Sequence, residues 1–147
     1  MLIIFLVTFI GLMGFGIILP LFPFYAERLG ASPEIITLTM AVFALGQFIA
    51  SPFWGRLSDS IGRKKVLVIS LIGSTISYVM LAYAETLTMV LLSRILSGLM
   101  AGNISIAFAY VADITDEKNR SAGLGKVSAA LGLGFMTGPA IGVFLAG

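Results

Sequence analysis

Long apolar runs alternate with short polar segments along the whole chain. The apolar runs cover approximately residues 1–26, 35–55, 66–84, 87–112 and 127–147. A helix needs about 20 residues to cross the hydrocarbon core of a bilayer, so each run is long enough for one crossing. The pattern therefore predicts an all-α integral membrane protein whose five transmembrane helices pack as a single bundle.

The first run predicts a retained membrane helix and not a cleaved signal peptide. It has no basic residue at its start, exceeds the roughly 7 to 15 apolar residues of a signal peptide and offers no small-residue cleavage site. Pro20 and Pro23, near its end, lack the backbone N–H that a helix needs. We therefore expect the outer end of this helix to be bent or broken.

The basic residues predict which connections face the cytoplasm. The segments 56–65 and 113–126 hold Arg56, Arg63, Lys64, Lys65, Lys118, Arg120 and Lys126. The connections between the first and second runs and between the third and fourth runs contain one basic residue, Arg28. Because cation-rich connections stay on the cytoplasmic side, we expect both segments to be cytoplasmic loops and the amino terminus to be cytoplasmic as well.

The composition fits a bilayer as solvent and excludes several kinds of chemistry. The chain is 59% hydrophobic and 11% charged, whereas soluble proteins carry about 25% charged residues. It has no Cys and no His, which removes Cys/His metal sites and the usual nucleophile–base pairs. We expect no enzymatic activity, no bound metal and no cofactor. A net charge of +2 with scattered cations provides no basic face for nucleic acid.

Arg94 is the only charged residue inside an apolar run. A central Arg costs roughly 2.5 to 3.5 kcal/mol on membrane-insertion scales, so something must compensate its charge. Gly98 and Gly102 follow at four-residue spacing and allow a neighbouring helix to approach closely. Two interpretations stay open: an interior polar anchor for a transport pathway, or a side chain that snorkels to the outer boundary.

Other residues at membrane depth are candidates for a substrate cavity. Gln47 and Asn103 are uncharged polar groups that each need a hydrogen-bond partner, either on another helix or on a substrate. Phe15 and Phe43 are candidates for an apolar cavity lining, although packing and lipid contact explain most aromatics at helical spacing.

The fifth run carries Gly134, Gly138 and Gly142 at spacings of four residues, with Pro139 among them. Such a face without side chains permits tight helix packing. Pro139 is able to kink the helix where a neighbour or a cavity satisfies the freed carbonyl. Generic helix packing and a specific role in sealing or bending the helix are both compatible with this pattern.

The segment 55–65 reads GRLSDSIGRKK. It resembles the signature of the major facilitator superfamily, in which a glycine, an acid four residues later, a second glycine and a basic run lie between helices two and three. The resemblance implies the first five helices of a twelve-helix fold. We therefore expect the chain to be a fragment that lacks the C-terminal half of the same protein.

The resemblance also implies a cytoplasmic conformational latch. Its expected members are Gly55, Asp59, Gly62, Arg63, Lys64 and Asp113. Asp59 would lie at the positive end of a helix from the other half, and Arg63 would pair with Asp113 at the cytoplasmic end of the fourth helix. By resemblance, this network holds the outward-open state and breaks for the inward-open state.

Two further segments are similar to motifs of the same family. Residues 91–98, LLSRILSG, resemble the fourth-helix motif, which implies that Arg94 with Gly98 has a coupling role. Gly125 followed by Gly134, Gly138, Pro139 and Gly142 resembles the fifth-helix motif of antiporters that exchange drugs for protons.

These motifs together imply a secondary active transporter of a bacterial cell membrane, closest to multidrug and tetracycline exporters. It would export amphipathic small molecules by alternating access, with the proton gradient as its energy source. The expected partners are lipid, a small-molecule substrate, protons and the missing half. A metabolite carrier, for example for a sugar or an organic acid, is the first alternative, and a non-transporting membrane assembly module is the second.

No Asp or Glu lies inside an apolar run. A proton antiporter needs a carboxylate that meets the substrate pathway. We expect that carboxylate in the missing half, with Asp113 as a possible contributor at the cytoplasmic mouth.

Overall fold

Six helices account for almost the whole chain in the computed structural model, which describes residues 1–147. They are α1 (Leu2–Arg28), α2 (Pro33–Ile61), α3 (Arg63–Ala82), α4 (Leu87–Met100), α5 (Asn103–Ile114) and α6 (Glu117–Ala146). The helices α4 and α5 lie in one apolar stretch, Leu87–Ile114, so five segments are long and apolar enough to cross a membrane. The predicted all-α membrane fold is confirmed.

Polar side chains mark where two of the helices begin. The Ser32 hydroxyl accepts a hydrogen bond from the Ile35 N–H at 3.4 Å, and Pro33 follows at the first helical position of α2. The Thr86 hydroxyl accepts from the Met89 N–H at 3.3 Å at the start of α4. These caps satisfy backbone donors that the first turn of a helix leaves without an acceptor.

Helical structure extends beyond the apolar runs. The helix α2 continues through the first predicted cytoplasmic segment to Ile61, and α6 begins at Glu117 inside the second. Helix bounds do not locate the membrane surface, so the spans and their sides remain predictions. The first helix was expected to be bent or broken near its outer end, and it is not broken, because α1 runs through Pro20 and Pro23 to Arg28. A bend at these prolines stays a prediction. Neighbouring helices allow a membrane helix to tolerate proline.

The chain forms two compact units, and the first consists of Met1–Phe24 with Ala107–Gly147. Its apolar core contains Ile4, Ala107, Val111 and Val127, with Phe108, Tyr110 and Leu124 packed against them. Residues from α1, α5 and α6 therefore share one core.

A glycine face of α6 lies directly on the backbone of α1 in this unit. Its members are Gly134, Gly138 and Gly142, all buried. A Cβ on any of them would lie 2.7 Å from a carbonyl oxygen of α1, those of Phe9, Met13 and Ile17 respectively. Real Cβ atoms do not approach so closely, so only glycine permits this helix contact.

The second unit, Tyr25–Ile106, is built from α2, α3 and α4, which pack on one another. Small residues bring α2 against α4, since a Cβ on Gly46 would lie 3.4 Å from the backbone of Gly98. Four buried serines belong to α3 and α4: Ser70, Ser77, Ser93 and Ser97. The Tyr25 hydroxyl donates to the Ala84 carbonyl and ties the start of this unit to the segment before α4.

Large apolar side chains cover much of the outer surface. Phe48 is 78% exposed and Phe144 is 85% exposed, and many Ile, Leu and Val side chains are exposed with them. Such a surface is unfavourable in water and favourable against lipid tails. The chain is a multi-pass membrane protein.

Gly138→Ala is expected to weaken the contact between α6 and α1. The added Cβ would meet backbone atoms that cannot rotate away, and overpacking of this kind costs about 1 to 3 kcal/mol. Thermal unfolding of the purified protein in detergent should therefore have a lower midpoint. Gly132→Ala is the matched control, because a Cβ there meets nothing within 4 Å. Equal midpoints for the two variants would contradict the packing.

Candidate functional site

A single glycine makes the turn between α2 and α3. Gly62 has φ +99°, a value that side chains disfavour, and its N–H donates to the Ser58 carbonyl at 3.2 Å. Arg63 then begins α3 directly, so the predicted latch segment is helix, one glycine and helix. A Cβ on Gly55 would meet nothing within 4 Å, so packing within this chain does not explain that glycine.

Arg63 holds the end of α2 across this turn. Its Nη2 lies 2.6 Å from the Asp59 Oδ1, and its Nη1 donates to the hydroxyl of Ser58. Ser58 is buried, and its hydroxyl donates in turn to the Gly55 carbonyl at 2.7 Å. Asp59 itself remains 65% exposed. The turn is therefore held by one partly exposed ion pair and a buried hydroxyl, while most of the carboxylate still faces outward.

The remaining members of the predicted latch are surface residues. Lys64 is exposed at the start of α3, and Asp113 is exposed in the last turn of α5. The ion pair of Arg63 with Asp59 is local to the turn, four residues apart in sequence. The pairing of Arg63 with Asp113 stays a prediction.

Arg94 lies inside the second unit. It is only 5% exposed, and the serines on either side of it along α4, Ser93 and Ser97, are buried with it. The Ser97 hydroxyl donates to the Ser77 hydroxyl on α3 at 2.8 Å. Tyr78 on α3 is an electrostatic neighbour of the guanidinium. The charge is therefore buried within the protein with Tyr78 near it, and its coupling role remains a prediction.

Gly98, one turn after Arg94, allows α2 to approach α4. A Cβ on Gly98 would contact the carbonyl oxygen of Phe43. The two predicted coupling residues thus have different surroundings, since Arg94 is near α3 and Gly98 faces the backbone of α2.

The predicted antiporter-motif residues lie together at the contact between α6 and α1. Pro139 Cδ lies 3.0 Å from where a Cβ on Gly16 would stand, so the proline also packs on α1. Gly125 is different, because it is exposed and a Cβ there would meet nothing within 4 Å.

The predicted cavity residues are all half-buried. Gln47, Asn103 and Phe43 belong to the second unit, and Phe15 belongs to the first. Their contact with a substrate stays a prediction.

Trp54 was not among the predicted site residues, and Tyr78 was not predicted to lie near Arg94. The Trp54 indole N–H donates to the Leu99 carbonyl of α4. A signal for this contact was present in the sequence, because an indole N–H within an apolar run must find an acceptor. No comparable signal links Tyr78 to Arg94, since their proximity depends on how α3 packs against α4.

Five apolar helical segments, one of which contains a buried arginine, define a multi-pass membrane protein. The family model for the Major Facilitator Superfamily matches residues 4–147. The chain belongs to the Major Facilitator Superfamily.

Three relatives are bacterial resistance proteins. The chain is 37% identical to the class B tetracycline resistance protein of Escherichia coli and 39% identical to multidrug resistance protein 2 of Bacillus subtilis. It is 35% identical to the quinolone resistance protein NorA of Staphylococcus aureus. The matches cover 94%, 95% and 94% of this chain but 35%, 35% and 36% of the relatives. The chain thus spans about a third of the length of the curated relatives it matches.

Arg63→Lys is expected to loosen the turn between α2 and α3. The guanidinium reaches Ser58 and Asp59 through separate nitrogens, a geometry that a lysine ammonium does not reproduce. Losing about 1 kcal/mol of local stability should make amide hydrogen exchange over residues 59–64 roughly fivefold faster. The exposed Lys64 provides the control as Lys64→Arg. Unchanged exchange in Arg63→Lys would refute this role.

Proposed function

We propose that the chain forms part of a secondary active transporter that exports amphipathic drugs in exchange for protons by alternating access. The observation that carries the proposal is similarity over nearly the whole chain to proteins named for tetracycline, multidrug and quinolone resistance. Each of those names describes a property that drug export explains. A membrane carrier needs no chemical change of its substrate, so no enzymatic step is part of the proposal.

Protons supply the energy in this proposal, and no cofactor is required. One elementary charge moved across the membrane is worth about 2.3 kcal/mol per 100 mV. The seven acids of the chain all lie outside the apolar runs: Glu27, Glu34, Asp59, Glu85, Asp113, Asp116 and Glu117. We therefore assign the proton-carrying carboxylate to a part of the protein beyond these five segments, with Asp113 as a second candidate.

The turn between α2 and α3 serves as the cytoplasmic latch of the proposed transporter. The cation-rich segments favour a cytoplasmic position for this turn and for the amino terminus. Asp59 is mostly exposed, so its carboxylate remains able to meet the positive end of another helix. An exposed ion pair is worth about 0.2 to 1 kcal/mol, which is weak enough to break in each transport cycle.

Arg94 couples protons to substrate in the proposed mechanism. A buried charge acts over a longer distance than an exposed one, because little water screens it. A proton that binds near the guanidinium changes the binding free energy of a cationic substrate at the same place, and a bound substrate changes that of the proton.

The intact gene product, reconstituted in proteoliposomes with an acidic interior, tests the proposal with ethidium as the amphipathic cation. We expect ethidium to accumulate while protons leave, and accumulation to stop when an ionophore collapses the pH gradient with the membrane potential clamped. Empty liposomes are the control. No gradient-dependent movement of ethidium or of a second cationic dye, in protein shown to be folded, would favour a metabolite carrier instead.

Arg94→Ala is expected to lower the rate of proton-driven dye transport by at least about tenfold. A loss of roughly 1.4 kcal/mol in the stabilisation of the rate-limiting transition state has this effect. Arg94→Lys should recover part of that rate, because the charge returns without the planar guanidinium. The matched control is Arg120→Ala, which removes an exposed cation from α6. Expression and detergent stability report on folding separately. Full coupled transport by the Arg94→Ala variant would show that this residue only anchors the helix.

A further inference from the structure

The fourth span is interrupted near its centre. The helix α4 ends at Met100, Ala101 has the non-helical ψ of 38°, and α5 begins at Asn103. The Ala101 N–H donates to the Gly98 carbonyl at 3.2 Å, only three residues back. The apolar stretch that contains this break is Leu87–Ile114, so the break lies at about half of its length. Interruptions in the middle of a helix often mark functional hinges.

Trp54 satisfies a backbone carbonyl at this break. In an uninterrupted α-helix the Leu99 carbonyl would accept a hydrogen bond from the Asn103 N–H, four residues later. In the structure the indole N–H of Trp54, on α2, donates to this carbonyl. A carbonyl without a donor is costly in a membrane interior, so the indole stabilises the interrupted form of the span.

Gly102 provides the space for this indole. A Cβ on Gly102 would lie 2.5 Å from Cγ and 2.6 Å from Cδ1 of Trp54. The Trp54 side chain is only 5% exposed, whereas its neighbour Phe53 is 61% exposed. The indole is therefore enclosed at the break, and the adjacent aromatic ring lies on the outer surface.

The same face of α2 also carries Ser58, whose hydroxyl contacts the latch residue Arg63. Trp54 and Ser58 are one helical turn apart, and both are buried. Ser58 accepts from Arg63, whose guanidinium also pairs with Asp59. A movement of the last turns of α2 that opens the latch would thus displace Trp54 from the break in the fourth span.

We propose that Trp54 is a positioning residue that couples the latch after α2 to a hinge at Ala101–Gly102. With the latch closed, the indole holds the Leu99 carbonyl and the span stays interrupted. With the latch open, the Leu99 carbonyl accepts a hydrogen bond from the Asn103 N–H and the helix becomes continuous through the span. One N–H donor replaces another, so the number of hydrogen bonds is unchanged and both states are accessible.

The hinge would change the direction of Arg94 relative to Asn103. Arg94 lies two turns before the break, on the α4 side, and Asn103 begins α5. This inference rests on the proposed function, because it gives the latch a route to the residue assigned to coupling.

Fluorine NMR of the intact gene product tests the hinge without any transport assay. 5-Fluorotryptophan placed at position 54 should give two resonances, from the carbonyl-bound and the released indole. Asp59→Asn, which weakens the latch, should increase the released population at least about twofold, and so should Gly102→Ala. Phe53→Leu is the matched control and should leave the populations unchanged. One resonance that neither variant shifts would overturn the proposal, as would an equal shift in Phe53→Leu.

Transport kinetics provide the second measurement, with ethidium as the probe. Trp54→Phe retains an aromatic ring and removes the N–H, so we expect the maximal rate to fall at least about fivefold while the apparent affinity changes less than about twofold. A change in affinity alone would assign Trp54 to the substrate site and overturn the hinge. If the unmodified protein moves no ethidium, the proposed function fails, while the two fluorine resonances still test the hinge.

Discussion

No water is available inside a bilayer to hydrogen-bond a polar group, and the rest of this structure depends on that constraint. Within each helix the backbone N–H and C=O groups hydrogen-bond to one another. At two places where this regular pattern ends, side chains donate to backbone carbonyls instead. Tyr25 supplies a donor to the Ala84 carbonyl beside the start of α4, and Trp54 supplies one at the break in the fourth span. Side chains that look like simple apolar packing in the sequence therefore determine where an irregular backbone is tolerated.

Features that repeat at a fixed spacing could be predicted from the sequence, and features that depend on one specific neighbour could not. The apolar runs gave five spans, and the four-residue spacing of Gly134 and Gly138 gave a tight helix contact. Gly98 and Gly102 look equivalent in the sequence, yet a Cβ on one would meet the backbone of Phe43 and on the other the indole ring of Trp54. Only the packing of α2 on α4 distinguishes them, so the break in the fourth span was missed.

Two of the four arginines of the second unit, Arg63 and Arg94, show how location sets the strength of an electrostatic interaction. Arg63 makes its ion pair at an exposed turn, where water weakens the attraction. Arg94 is buried, and a charge in a low-dielectric surrounding interacts more strongly with a second charge that approaches it. The chain thus combines a weak, exposed ion pair at Arg63 with a buried charge at Arg94 whose interactions are stronger. The sequence already separates the two, because Arg63 belongs to a basic segment and Arg94 stands alone inside an apolar run.

The buried serines between α3 and α4 have a consequence for how these two helices slide along each other. Ser70, Ser77 and Ser93 each donate to a carbonyl of their own helix, three residues back. Ser97 is within hydrogen-bond distance of both the Ser77 hydroxyl and the Ser93 carbonyl. A small displacement of α4 along α3 that separates Ser97 from Ser77 leaves each of these four serine hydroxyls with a carbonyl acceptor on its own helix. The serine hydroxyls themselves therefore add little resistance to shear between α3 and α4.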